Sequence, residues 1–83
     1  MTAKEMFEKL GYKLIQNDIY KIVYQDNWLD DGSHIRIEFD LQFKHFNPIF
    51  TNKPYLKTDT FMDIDVPLFL AITQQMKELG WIE

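Results

Sequence analysis

Histidine changes charge nearest neutral pH, so it is the first side chain to test for proton transfer or metal ligation. The chain has two, His34 and His45. His34 opens the stretch HIRIEFDLQF, where Arg36, Glu38 and Asp40 fall on the same side as it does. A metal would have to draw on His34 and Glu38 together, yet four residues along a strand span about 13 Å. His45 stands beside Phe46. Both histidines therefore suit surface or structural positions better than a site. A metal centre or acid–base step around them is the least supported reading of the chain.

Nucleophilic chemistry is no better served. Ser33, the single serine, directly precedes His34, and neighbouring strand residues point to opposite faces. There is no cysteine, which removes disulfides, thiolates and cysteine-based zinc sites together. Three glycines make no phosphate-cradling loop. The acid pairs Asp30–Asp31 and Asp63–Asp65 suit turns and helix caps. The chain reads as non-enzymatic, with no catalytic residue, no metal and no small-molecule cofactor.

Binding chemistry is better represented. The segment FKHFNPIFTNKPYLK, residues 43–57, interleaves Lys44, Lys53 and Lys57 with Phe46, Phe50 and Tyr55. Cations among aromatics attract a phosphate backbone and stack bases, as single-stranded nucleic-acid binders do. The alternative is that the rings anchor a long loop to the core while the lysines face water. Three lysines make a weak field and the net charge is −4, so nucleic acid is not the favoured partner. In DNWLDDG, Trp28 and Leu29 sit within an acidic loop, either as an interface anchor or folded over the sheet edge. Charge is uneven along the chain: Asp26, Asp30, Asp31, Glu38 and Asp40 oppose only Arg36 over residues 25–40, and residues 41–58 hold no acid. An acidic, aromatic face could also imitate DNA and block a host nucleic-acid-binding protein, though −4 is a mild charge for that role. The candidate interaction surface is therefore Trp28, Leu29, Phe46, Phe50, Lys53, Tyr55 and Lys57. The favoured partner is another protein or a second copy of the chain.

These residues need elements to hold them. A length of 83 residues with 46% hydrophobic and 16% aromatic content predicts one folded domain over residues 1–83 with a thin core. Thr2 with Glu5 has the spacing of a capping box, and Gly11 then Tyr12 in EKLGY form a helix stop. Phe7 and Tyr12 would touch across it. KELGW, residues 77–81, repeats that ending, with Gly80 closing and Trp81 clasping Met76. The second helix should begin at Asp65, with Pro67 in its first turn. Its spacing predicts Phe69, Ile72, Met76 and Leu79 on the buried face.

Between the helices, YKLIQ (12–16) and IYKIVYQ (19–25) read as strands around an Asn17–Asp18 turn, with Tyr20, Ile22 and Tyr24 on one face and Ile19, Lys21 and Val23 on the other. Residues 34–43 alternate strictly, with Ile35, Ile37, Phe39, Leu41 and Phe43 on the apolar side. A hairpin near residues 40–44 should lead to a further strand over Lys44–Ile49, and residues 47–64 form a long connection. The expected fold is α+β: an N-terminal helix, an antiparallel meander of three to four strands and a C-terminal helix, with both helices on one sheet face.

MTAKEMFEKLGY at the start, AITQQMKELGW at the end and IEFDL at 37–41 resemble a family of small uncharacterised proteins from phages and prophages of Gram-positive bacteria. The resemblance implies a phage-encoded accessory protein of the host cytoplasm. It supplies no activity and no catalytic residue. The absence of cysteine and of any apolar run of about 20 residues agrees with a cytoplasmic, non-membrane protein.

Overall fold

Each terminal helix is bounded by the residues that begin and stop it. The computed structural model describes residues 1–26, 34–51 and 64–83, with the backbone alone at Phe50 and Thr51. Helix α1 spans Ala3–Lys9. Thr2 and Glu5 exchange the two hydrogen bonds of a capping box, satisfying N–H groups that the first turn cannot. At its end Gly11 adopts φ +94°. Tyr12 N–H then donates to Phe7 C=O at 3.0 Å, and Gly11 N–H to Glu8 C=O at 3.1 Å. That is the expected Schellman ending, and the Phe7 and Tyr12 rings meet edge to face at 5.6 Å.

Helix α2 spans Val66–Glu78, with the Asp65 side chain accepting from Leu68 N–H. Gly80 at φ +76° repeats the ending, and Trp81 N–H donates to Met76 C=O at 2.9 Å.

Four strands lie between the helices: β1 Lys13–Asn17, β2 Lys21–Asp26, β3 His34–Asp40 and β4 His45–Thr51. They form one antiparallel sheet in chain order. The fold is α+β, as expected. Both tight turns are tied by an aspartate. Asp18 Oδ1 accepts from the N–H groups of Tyr20 and Lys21, and Asp40 Oδ1 from those of Gln42 and Phe43. These backbone donors hold both carboxyls below the usual carboxylate range.

Several expectations are corrected at the strand ends. The Asp18 turn extends through Tyr20, so Tyr20 is exposed instead of joining Ile22 and Tyr24. Phe43 continues the two-residue period on paper, but it falls in the turn after β3 and is also exposed. The last strand runs two residues beyond Ile49, through Pro48. Proline is tolerated there because β4 lies at an edge of the sheet. In β1 the register shifts between Leu14 and Gln16. Ile15 is the extra residue of this bulge and is half exposed.

One sheet face carries Leu14, Ile22, Tyr24, Ile37, Phe39 and Phe46, in cross-strand register. The core forms where Ala3 and Phe7 of α1 and Leu68, Ala71 and Ile72 of α2 pack with Tyr12 and this face. Phe7 stacks on Tyr24 at 3.9 Å between ring centres. Phe39 stands edge-on to both rings at 6.3 Å and also meets Phe46 and Trp81. Aromatic pairs in such arrangements add about 0.5–1.5 kcal/mol beyond the area they bury.

The helices are tied to each other as well. Glu78 Oε2 accepts from the buried Ala3 N–H at 2.7 Å, placing a carboxylate at the positive end of α1.

Candidate interaction surface

Arg36, Glu38, Asp40 and His45 lie on the outer face of the sheet or beside it, each within 4.0 Å of an opposite partner. Glu38 sits between Lys21 and Arg36, with N–O distances of 3.2 and 3.5 Å. The Arg36 guanidinium also donates to Gln25 Oε1 through Nε and Nη2. Val23, flanked by Lys21 and Gln25 along β2 and opposite Glu38, is 2% exposed although it lies on the face away from the helices, as expected where long polar side chains lay their stems over a neighbour. The expectation that Val23 points away from the core-side residues holds, but its isolation from water was not foreseen. His45 Nε2 lies 4.0 Å from Asp40 Oδ2, and its ring stacks on exposed Phe43. His34 and Glu38 are on the same strand face four positions apart, as the spacing required. Among the described residues no three His, Asp or Glu side chains gather as a metal site.

The sequence-derived interaction surface is divided by the structure. Trp28, Leu29, Lys53, Tyr55 and Lys57 lie outside the described residues. Phe50 belongs to β4, in register with Ile35. Phe46 is partly buried against the core through Phe39, because its register places it on the helix-facing side of β4. Lys44 is exposed in the turn at φ +57°.

Helix α2 carries the surface that the sequence reading missed. Phe69 was expected in the core, yet it is 55% exposed, and Val66 and Leu70 are 69% and 50% exposed. Of the expected face Ile72 is buried and Met76 and Leu79 are partly buried against the core, while Leu68, Ala71 and Gln75 complete the inner side in place of Phe69. Gln75 reaches the core because its Oε1 accepts from the Tyr24 hydroxyl at 2.6 Å, which satisfies a polar group that burial would otherwise penalise. A polar residue on the inner face and a phenylalanine outside misled the periodicity. The usable signal was in VPLFLAI, which leaves the first two turns no polar side at all.

An apolar groove of about 200 Å³ runs beside this stripe, between α1 and the start of α2. It is lined by Met1, Met6, Lys9, Leu10, Pro67 and Leu70. Met1 is 66% exposed at its mouth. A second exposed group, Ile19, Tyr20 and Phe43, occupies the two turns at one end of the sheet. Chemically, the α2 face offers apolar contact bordered by single charges: Asp65 at the start of the helix and Lys77 in its last turn. Among the described residues no helix is long and apolar enough to cross a membrane. Comparison of the chain with known protein families, with curated proteins and with solved structures finds no match to any of them.

Proposed function

We propose that the chain is a small accessory protein, phage- or prophage-encoded, that works in the host cytoplasm by binding protein rather than by catalysis. The observation that carries this reading is the exposed apolar face of α2, formed by Val66, Phe69 and Leu70 beside the groove at Met1 and Leu10. Isolated exposed hydrophobics are ordinary, but a contiguous patch bordered by charge marks a contact surface. Nucleic-acid binding through residues 43–57 is the rival reading, less favoured because Phe46 is partly buried against Phe39. The cations Lys21 and Arg36 on the sheet are likewise paired with Glu38.

The test is affinity capture from bacterial extract with the wild-type chain and with Phe69→Asp, alongside a low-salt oligonucleotide titration. Capture of a protein by the wild type alone supports the reading. Salt-dependent oligonucleotide binding that Phe69→Asp leaves intact replaces it with the nucleic-acid reading.

A further inference from the structure

We infer that the exposed stripe of α2 is the contact between two copies of this chain, packed α2 against α2, antiparallel, about a two-fold axis near Leu70. This rests on the reading of that face as protein-binding and names its occupant. The stripe is Val66, Phe69 and Leu70, at the i, i+3, i+4 spacing of one helix side, and it ends at Thr73, which is partly buried. It lies opposite the buried Leu68, Ala71, Ile72 and Gln75. A helix apolar on both sides is normally covered on both sides, and here the core covers only one.

The area fits a second copy. Met1, Val66, Phe69 and Leu70 are exposed by 50–69%, which for side chains of this size amounts to about 400 Å² of mostly apolar surface. Two such faces remove about 800 Å² from water. Polar side chains at the margins add to that figure and bring it towards the lower end of specific interfaces. That size is in the range of weak, reversible contacts rather than of permanent dimers.

Charge sets the direction. Asp65 caps the N-terminal end of α2, and Lys77 stands in its last turn; both are exposed. Antiparallel packing brings each Lys77 towards the other copy's Asp65 and opposes the two helix dipoles. Parallel packing would set Lys77 against Lys77 and Asp65 against Asp65. A two-fold axis keeps each flank with its own kind. Phe69 therefore meets Phe69 on one side of the stripe, and the two grooves at Met1, Met6 and Leu10 meet on the other.

The chain has no cysteine of its own, so an introduced thiol reports the geometry without interference. Near the axis, Leu70→Cys brings its own copy within disulfide reach, a Cα separation under about 7 Å. Lys77→Cys lies seven residues from the axis, so its two copies stand about 20 Å apart. The experiment is sedimentation equilibrium of the full chain from about 1 µM to about 1 mM, with mild oxidation of the two cysteine variants. The expected result is a concentration-dependent dimer, weakened at least tenfold by Phe69→Asp, with covalent dimer from Leu70→Cys and none from Lys77→Cys. Circular dichroism of Phe69→Asp checks that the variant stays folded.

A monomer throughout overturns the inference, as does equal cross-linking by Lys77→Cys. A wild-type monomer whose captured protein is lost in Phe69→Asp overturns self-pairing while the protein-binding reading stands. A monomer that captures nothing removes both.

Discussion

At the scale of single residues, Tyr24 holds the most consequential polar contact in the core. Its hydroxyl donates to Gln75 Oε1 between the sheet and α2, and both residues are buried. Tyr24→Phe leaves the Gln75 amide oxygen without that donor, so stability should fall by about 1–3 kcal/mol. Urea unfolding of the two proteins measures it. Tyr24→Phe with Gln75→Leu should recover much of the loss, because neither polar group is then left alone. Burial also pushes the Tyr12 and Tyr24 phenols up to about 12. In the unfolded chain both ionise near 10. Their contribution is therefore fully present below pH 10 and is lost as pH rises through 12. The loss approaches about 1.4 kcal/mol per pH unit for each ring. Alkaline unfolding should track the tyrosinate absorbance of these two rings, and stability that stays level from pH 10 to 12 would contradict it. None of this polar wiring was legible beforehand. Gln75 carries no mark in the sequence that distinguishes it from Gln74, and only the position of Tyr24 on the adjoining strand selects it.

At the scale of elements, what proved legible was local chemistry. The capping box of α1, the Asp65 cap of α2 and the two glycine stops are each decided within a few residues and appear where their patterns stand, and the Asp18 turn follows one residue later than expected. The two helix endings give a paired prediction. A Cβ at Gly11 would lie 3.7 Å from Asp26 Oδ1, an ordinary contact, and one at Gly80 would meet nothing within 4 Å. Backbone conformation is then the main penalty at both, since φ is +94° and +76°. Gly11→Ala and Gly80→Ala should each cost about 1 kcal/mol. Thermal unfolding of the two variants checks this, and a Gly11→Ala loss several times larger would reveal a clash that the geometry does not show. Periodicity was less dependable, because it ignores where an element stops. Tyr20 and Phe43 fit the two-residue alternation, but both lie in turns. In α2, periodicity could not choose between two apolar sides, since the choice depends on how α1 and the sheet meet it. The candidate surface was illegible for the same reason: aromatic content marked Phe46, and tertiary packing assigned the exposed role to Phe69.

At the scale of the whole molecule, a small sheet covered by two helices on one side leaves a good deal of apolar area outside. Association coupled to folding makes stability depend on concentration. The melting temperature of the wild type should climb as protein concentration is raised across the dissociation constant, and Phe69→Asp should flatten that dependence. Calorimetry at several concentrations measures it, and a concentration-independent wild-type midpoint would speak against coupling. Because Phe69 is more than half exposed, the substitution should leave the dilute-solution midpoint nearly unchanged, within about 0.5 kcal/mol of stability.

Pro48 has an effect that reaches past the single chain. Open sheet margins are templates on which further strands can be laid down without limit. Here the margin at β4 has a missing donor at Pro48 and the margin at β1 is buckled at Ile15. Neither offers the flat, unbroken row of hydrogen-bonding groups that fibre growth copies. Crowded molecules of this kind are steered away from endless stacking, and in the proposed pairing through α2 a contact closes on itself after two copies.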